Sequence, residues 1–170
     1  MVEQTTRSSL QEVTIYTDGA CSGNPGSGGW GAVILYGKHR LELSGGEAQT
    51  TNNRMELYAA IAALQRLKRP CNVALYSDSK YLTDGFNKGW VHKWQRQGWQ
   101  RMDQYRGSSE PVKNPDLWQE LLRLSRVHSL SWNWVRGHAD TVENQRCDFL
   151  ARSYITTVTN DSPAQKGGLA

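Results

Sequence analysis

A glycine-rich segment near the N-terminus places the strongest constraint on the fold. The segment TDGACSGNPGSGG covers residues 17–29 and lies between two runs typical of strands, EVTIY and WGAVILY. Within and beyond it, GSGGWG at residues 26–31 fits the pattern G-x-G-x-x-G of dinucleotide-binding loops. That pattern requires a helix after the glycines, and no G-K-[ST] of a nucleotide P-loop is present. The residues therefore favour a hairpin between two strands over a phosphate-binding loop.

Composition favours one globular domain with a polyanionic partner. The 170 residues are 38% hydrophobic and 21% charged, and the net charge is +4 with a pI of about 9.0. The apolar runs are too short to span a bilayer, and the N-terminus has no apolar signal core. Cys21, Cys71 and Cys147 lack C-x-x-C spacing, which argues against a disulfide framework or a zinc site. We therefore predict a monomeric, cytoplasmic protein with no membrane association.

Hydrophobic periodicity predicts an alternation of strands and helices. Strands are predicted over residues 12–18, 28–37, 39–47, 72–77 and 128–135. Helices are predicted in TNNRMELYAAIAALQRLK, DSKYLTDGF, NPDLWQELLRLSRV and VENQRCDFLARSYI. This order predicts an α/β fold with a five-stranded mixed sheet flanked by helices, in which an antiparallel meander of three strands precedes parallel strands four and five. We expect one domain over residues 12–159, a flexible N-terminus over residues 1–11 and a disordered tail over residues 160–170.

Each of four acidic residues has an ordinary structural explanation when it is taken alone. Asp18 ends the first strand, where an Asx turn would account for it, and Asp78 ends the fourth, where it could cap the next helix. Glu56 could be the partner in a capping box. Asp148 could pair with Arg152 one helical turn further on. Taken singly, the structural role is favoured for Asp78 and Asp148, and for Glu56 the two interpretations are balanced.

The predicted topology changes this balance because it brings the four carboxylates together. The first and fourth strands end at the same sheet edge, and the segments that carry Glu56 and Asp148 begin near it. Four carboxylates in one cleft repel one another unless a cation neutralises them. Sites made only of oxygen ligands suit Mg²⁺ or Mn²⁺. His138, in the loop before the last helix, is either an exposed loop histidine or a proton carrier beside this cluster.

At these residues the sequence closely resembles the type 1 ribonuclease H family. The matching segments run in order from residue 16 to about residue 151, and they are YTDGACSGNPGSGGWGAV, TTNNRMELYAAIAAL, YSDSKYL, GWVHKWQRQGW, PVKNPDLW and RGHADTVENQRCDFLA. The resemblance implies a ribonuclease H-like fold and an endoribonuclease that hydrolyses the RNA strand of RNA–DNA hybrids, leaving 5′-phosphate and 3′-hydroxyl ends. An alternative is a hybrid-binding module of the same fold without catalysis, and the intact acidic set argues against it.

The family's acidic tetrad falls on Asp18, Glu56, Asp78 and Asp148, and its loop histidine falls on His138. The resemblance implies two Mg²⁺ ions, for which Mn²⁺ can substitute. One ion, held by Asp18 and Asp148, would activate a water molecule, and the other, held by Asp18, Glu56 and Asp78, would stabilise the departing 3′-oxygen. Glu56 would also contact the 2′-hydroxyl beside the cut, a contact that distinguishes RNA from DNA.

The resemblance also implies a set of substrate-binding residues. They are Cys21, Asn24, Thr51, Asn52, Asn53, Lys80, Trp90, Lys93, Trp94, Arg96, Lys113 and Asn144. Residues 88–113 match the family's basic protrusion, where tryptophans alternate with lysine and arginine. Helix packing by the tryptophans and a solvated charged face are the structural alternative, and both interpretations can hold. The chain departs from the family at Lys80, Asp140 and Gln145, where glutamine, glycine and glutamate are usual.

Overall fold

A computed structural model describes residues 9–137 and 141–161 of the chain, which form seven strands and five helices. The strands are β1 (Gln11–Gly23), β2 (Gly26–Tyr36), β3 (His39–Thr50), β4 (Cys71–Ser77), β5 (Gln100–Asp103), β6 (Ser108–Pro111) and β7 (Ser129–Trp134). The helices are α1 (Asn52–Arg66), α2 (Lys80–Asn87), α3 (Trp90–Arg96), α4 (Pro115–Val127) and α5 (Val142–Asp161).

Five strands form one mixed sheet in the order β3-β2-β1-β4-β7. The β1–β2 and β2–β3 pairs are antiparallel, whereas β4 lies parallel to both β1 and β7. The helix α1 provides the crossover from β3 to β4, as parallel neighbours require a long connection. The predicted fold class is therefore confirmed, including the antiparallel meander and the two parallel strands that follow it.

The strand β2, between β3 and β1, is buried over most of its length because a helix covers each of its faces. Trp30 turns toward α1, where its ring centroid lies 5.7 Å from that of Tyr58. Gly29 and Gly31 turn the other way, toward α5: a Cβ atom on Gly31 would lie 2.5 Å from the carbonyl oxygen of Cys147. Glycine at these alternate positions therefore lets the α5 backbone rest directly on the sheet.

The glycine-rich segment differs from its prediction. The strand β1 does not end at Asp18 but continues to Gly23, and it is paired with β2 from Thr14 to Gly23. Only the connection from Gly23 to Gly26 turns, with Gly23 at a positive φ of 81°. The ladder bonds of an antiparallel pair join backbone groups, so a run of small residues with low strand propensity can still extend the ribbon.

The bounds of two helices also differ from the predicted ones. The first helix ends at Arg66, and Leu67 adopts an extended conformation as its C-cap. The second helix begins at Lys80, because Ser79 and not Asp78 caps it. Periodicity did not predict the helix α3 or the β5–β6 hairpin. Most residues of the hairpin are exposed, so its sequence has no alternation of apolar and polar residues.

The predicted domain boundaries stay predictions, because most of the residues at the two ends of the chain are not described. The helix α5 reaches Asp161, two residues beyond the expected domain end at residue 159. Residues 1–8 and 162–170, where flexible ends are expected, lie outside the described part of the chain. Among the helices of residues 9–137 and 141–161, none is both long and apolar enough to cross a membrane.

Candidate active site

Asp18 lies where β1 parts from one of its two neighbours. Pairing between β1 and β4 ends at Thr17 and Ser77, so Asp18 is the first residue beyond the parallel ladder. It remains paired with Gly31 of β2 on its other side, which excludes the Asx turn. Its Oδ1 accepts a hydrogen bond of 2.9 Å from the backbone N–H of Gly19. The carboxylate is thus rigidly held at the edge where β4 ends, and it is only 5% exposed.

Glu56 reaches Asp18 because α1 packs directly on β1. A Cβ atom on Gly19 would lie 2.5 Å from the backbone nitrogen of Glu56, so glycine is required for this approach. The capping-box alternative does not hold, because Thr51 is the N-cap and its Oγ1 accepts from the N–H of Arg54, which occupies the third helical position. Glu56 is 5% exposed, and its Oε2 has no hydrogen-bond partner among the described residues.

Asp78 follows the last residue of β4, and the N-cap of α2 is Ser79. The Oγ of Ser79 accepts the 3.2 Å hydrogen bond from the N–H of Leu82, and the Oγ of Ser77 accepts from the N–H of Ser79 at 3.0 Å. The two serines thus bind backbone N–H groups at the start of α2, and Asp78 lines the same cleft as Asp18. A Cβ atom on Gly137 would lie 3.3 Å from its Oδ2, which shows how closely the chain after β7 passes.

Asp148 joins the same cleft from α5, and both interpretations of it hold. The Nε of Arg152 donates to its Oδ1 at 3.0 Å, which is the predicted pairing between residues one turn apart. The four predicted carboxylates nevertheless line one cleft of about 420 Å³. The structure therefore brings the whole tetrad together, with Asp148 on the side nearest the Arg152 guanidinium.

Three of the carboxylates are close enough to share one cation. One oxygen each from Asp18, Glu56 and Asp78 lies within 4.8 Å of the others. Around an octahedral Mg²⁺ with bonds of about 2.1 Å, opposite oxygens are about 4.2 Å apart and adjacent ones about 3.0 Å, so the three carboxylates would draw together around a bound ion. The partnerless Glu56 Oε2 gives a second reason that these residues fit a hard divalent cation.

The electrostatics of the cleft favour neutralisation of its carboxylates, by protons or by a cation. Burial, followed by the charges of Asp78 and Asp148, raises the pKa of Asp18 to about 8. Burial and the charges of Asp18 and Asp78 likewise raise the pKa of Glu56 well above its usual value. Without a cation, protons take the place of the missing positive charge, so the cluster can hold either protons or a metal ion.

Several predicted substrate-binding residues lie beside this cleft. Cys21 and Asn52 line it, with Cys21 on β1 and Asn52 at the start of α1. The Oδ1 of Asn24, in the β1–β2 turn, accepts from the backbone N–H of Asn52 at 3.2 Å. Thr51 caps α1 directly beside them. These contacts join the turn and the helix start into one polar rim.

A second group of predicted residues lines a groove of about 380 Å³. Its lining is made by Asn53, Tyr81, Trp90, Lys93, Trp94, Arg101, Val112 and Lys113. Trp94 also packs edge-on against Trp118 with ring centroids 5.6 Å apart, so its packing role and its place in the groove coexist. Tyr81 and Val112 were not predicted here. The only sequence signal for Tyr81 is its position three residues after Asp78.

The remaining predicted residues lie elsewhere or are not described. Arg96 is exposed on α3 but does not line the groove, and Asn144 is buried with its Oδ1 unpartnered in residues 9–137 and 141–161. The Nζ of Lys80 lies 4.5 Å from the ring centroid of Trp134. His138 and Asp140 lie outside the described residues.

Comparison with known proteins agrees with this geometry. The sequence model of the RNase H family matches residues 10–156. Ribonuclease H of Symbiobacterium thermophilum is 59% identical over 150 residues, which cover 88% of this chain and 99% of that protein. The crystal structure of LC9-RNase H1, a type 1 RNase H with the type 2 active-site motif, matches at 32% identity and a TM-score of 0.75, covering 87% of this chain and 74% of that one.

A further solved structure shares the fold at lower identity. It is LC11-RNase H1 in complex with RNA/DNA hybrid, at 24% identity and a TM-score of 0.62, and it covers 86% of this chain and 98% of that one. The family match over most of the chain and the high identity to a full-length relative, together with the acidic cleft, place the protein: the chain belongs to the RNase H family.

Proposed function

We propose that the protein is an endoribonuclease that hydrolyses the RNA strand of RNA–DNA hybrids and leaves 5′-phosphate and 3′-hydroxyl ends. The observation that carries this proposal is the convergence of Asp18, Glu56, Asp78 and Asp148 on one cleft in a chain of the RNase H family. We further propose that it acts as a monomer in the cytoplasm. Three free thiols agree with a reducing compartment.

The cofactor proposed is a pair of Mg²⁺ ions, replaceable by Mn²⁺. Asp18, Glu56 and Asp78 would hold one ion, as the close approach of their oxygens supports. Asp18 and Asp148 would hold the other, so Asp18 serves both. When bound, such ions supply a nucleophilic water near neutral pH and stabilise charge on the attacking and leaving oxygens.

The chain's own residues would select and place the substrate. Glu56, next to the cleavage position, would contact the 2′-hydroxyl of the RNA strand, which DNA lacks. Asn24, Asn52 and Cys21 form the rim beside the cleft and would contact the minor groove of the hybrid. His138 is proposed to move protons during cleavage or product release.

The groove beside α3 would hold the DNA strand. Its lining combines aromatic rings with the cations Lys93, Arg101 and Lys113. Trp90 offers a flat face for a sugar, and the ammonium of Lys88 lies 5.7 Å from its ring centroid. Phosphate contacts of this kind supply affinity without base specificity. Such a surface therefore suits an enzyme that accepts hybrids of any sequence.

Nuclease gels with three duplexes test the proposal. Hybrid, duplex DNA and duplex RNA are each incubated with the protein in Mg²⁺ and in EDTA. We expect cleavage of the RNA strand of the hybrid alone, and only with Mg²⁺. Asp18→Asn should abolish cleavage and leave hybrid binding largely unchanged. Hybrid binding by the wild-type protein without any cleavage in Mg²⁺ would favour a non-catalytic binding module.

A further inference from the structure

The indole N–H of Trp134 donates a hydrogen bond to the backbone of Asp78, one residue beyond the end of the β4–β7 pairing. The last paired residues of β4 and β7 are Ser77 and Trp134, and the N–H of Val135 donates to the carbonyl oxygen of Ser77 at 2.9 Å. The carbonyl oxygen of Asp78 lies one residue further along. It accepts a 3.0 Å hydrogen bond from the Nε1–H of Trp134. A side chain thus supplies the donor that the backbone ladder no longer provides.

The same side chain also contacts the far end of this turn. Lys80 begins α2, two residues after Asp78, and its ammonium lies 4.5 Å from the centroid of the Trp134 ring. Trp134 therefore spans the turn, with its N–H on the Asp78 peptide and its face under Lys80. Between them, the hydroxyls of Ser77 and Ser79 bind backbone N–H groups. The turn that presents the Asp78 carboxylate is held by hydrogen bonds along its length.

We propose that Trp134 is a positioning residue that fixes the Asp78 peptide, and through it the direction of the Asp78 carboxylate, for cation binding. The inference rests on the proposed function, since it deepens the role of the same cleft. Groups that hold a ligand residue in place commonly change metal affinity by about 10-fold to 100-fold when they are removed. Trp134 is 43% exposed and lies at the end of β7, and Trp134→Phe keeps an aromatic ring there, so this replacement should leave the fold intact.

Two substitutions separate the N–H of Trp134 from its ring. Trp134→Phe keeps an aromatic face under Lys80 and removes only the donor to Asp78, whereas Trp134→Leu removes both. Mn²⁺ binding to the nucleic-acid-free protein is measured by titration calorimetry, and folding is checked by the thermal midpoint. We expect Trp134→Phe to bind Mn²⁺ about 3-fold to 10-fold more weakly than wild type, because one well-placed hydrogen bond is lost. Trp134→Leu should bind no better than Trp134→Phe.

A matched control and a kinetic measurement exclude a general effect of losing an indole. Trp90→Phe makes the same chemical change outside the acidic cleft and should leave Mn²⁺ affinity unchanged. In cleavage assays, the kcat of Trp134→Phe should fall at limiting Mg²⁺ and recover as Mg²⁺ is raised, with little change in KM for the hybrid.

Wild-type Mn²⁺ affinity in Trp134→Phe would overturn the proposal, as would a loss seen only in Trp134→Leu, which would assign the effect to the ring. The calorimetry does not depend on catalysis. Failure of the wild-type protein to cleave hybrid would therefore contradict the proposed function and not this inference.

Discussion

Gly19 and Glu56 meet backbone to backbone: a Cβ atom on Gly19 would lie 2.5 Å from the amide nitrogen of Glu56 and 2.6 Å from the carbonyl carbon of Met55. Both contacts are with the main chain of α1, so no side-chain rotation could relieve them. The distance between Asp18 and Glu56 therefore depends on the absence of a side chain at Gly19, which lies within β1 where α1 packs on it.

Gly19→Ala should push α1 away from β1 and separate the two carboxylates. Overpacking at such a contact costs about 1–3 kcal/mol of stability. A displacement of the order of 1 Å at a catalytic group can lower kcat about 100-fold. Denaturant unfolding and cleavage kinetics measure the two effects. Gly37→Ala is the control, because a Cβ there meets nothing within 4 Å, and it should lower stability through its positive φ while leaving kcat intact. Wild-type kcat in Gly19→Ala would show that α1 can adapt.

The raised pKa of Asp18 predicts how stability changes with pH in EDTA. The native carboxyl has a pKa of about 8, against 3.8 for the ordinary group, so between these values the folded protein binds more protons than the unfolded chain. The contribution of Asp18 to the stability of the metal-free protein should therefore fall as pH rises from about 4 to 8. Asp18→Asn removes this group and should raise the thermal midpoint at pH 8 by several degrees.

Thermal unfolding of the two proteins from pH 5 to pH 8, with EDTA and with Mg²⁺, checks this expectation. Mg²⁺ should stabilise the wild-type protein more than Asp18→Asn, since ligand binding to the native state adds to its stability. A gap between the two metal-free proteins that does not widen toward pH 8 would contradict the assigned pKa of Asp18.

His128 should make the protein less stable in acid. It is buried at the end of α4, where its Nδ1 accepts a 3.1 Å hydrogen bond from the N–H of Cys71. Burial lowers its pKa below the usual 6.5, so the unfolded chain binds the proton more readily. The stability that neutral His128 contributes is therefore present above pH 6.5 and is lost as pH falls through 6.5 toward the lower native pKa.

His128→Asn keeps an acceptor near Cys71 but does not titrate. Urea unfolding at pH 8 and pH 5 should show that the advantage of wild type over this variant shrinks in acid. Comparing two proteins cancels the opposite contribution of the acidic cleft. An advantage that is equal at both pH values would mean that folding does not lower the pKa of His128.

Lys93 should contribute to hybrid binding through phosphate. It lines the groove with Trp90, and removing one phosphate contact flattens the plot of log K against log salt by about 0.9, if a hybrid behaves like B-DNA. Lys93→Ala is therefore expected to weaken hybrid binding and to make the salt slope shallower by about 0.9, the value for one phosphate contact. It should raise KM more than it lowers kcat. Fluorescence anisotropy with a labelled hybrid at several salt concentrations measures the slope.

Two further variants are compared with Lys93→Ala in the same salt titration. Arg66→Ala removes the same charge at the other end of α1 and should leave the slope unchanged. Arg96→Ala tests the remaining prediction for α3, because Arg96 is exposed but lies outside the groove lining. Equal slopes for Lys93→Ala and Arg66→Ala would mean that the groove does not meet the nucleic acid.

Local pattern was sufficient for the order and pairing of the main elements. The short apolar run NVALYS predicted a mostly buried strand over residues 72–77, and the structure has β4 over Cys71–Ser77 with every second residue buried. Periodic leucines predicted α4, and Leu117, Leu121 and Leu124 are buried. These signals depend on the 2.0 and 3.6 residue periods of single elements. Few topologies satisfy the rules for connecting such elements, which is why the mixed sheet could also be predicted.

The acidic tetrad could be predicted as a set, but the reason for its convergence could not. Asp18 was expected at a strand end, whereas it lies within β1 at the residue where β4 departs. Glycines were expected to serve a turn, yet Gly19 and Gly31 serve the close approach of α1 and α5. A glycine between strand-forming residues has the same local preferences in either role. Only the helix placed over it distinguishes the two.

Sequence alone was therefore sufficient to predict the family, the order of the main elements and the convergence of the four carboxylates, because motif and periodicity are properties of short segments. The tertiary structure decided which contacts hold the carboxylates in place and which surfaces form beside them. The bond from Trp134 to Asp78 joins residues 56 positions apart, and the groove at Tyr81 forms only when α1, α2 and α3 pack around it. Such contacts leave no local pattern, since they arise from the distances between elements and not from the preferences within one.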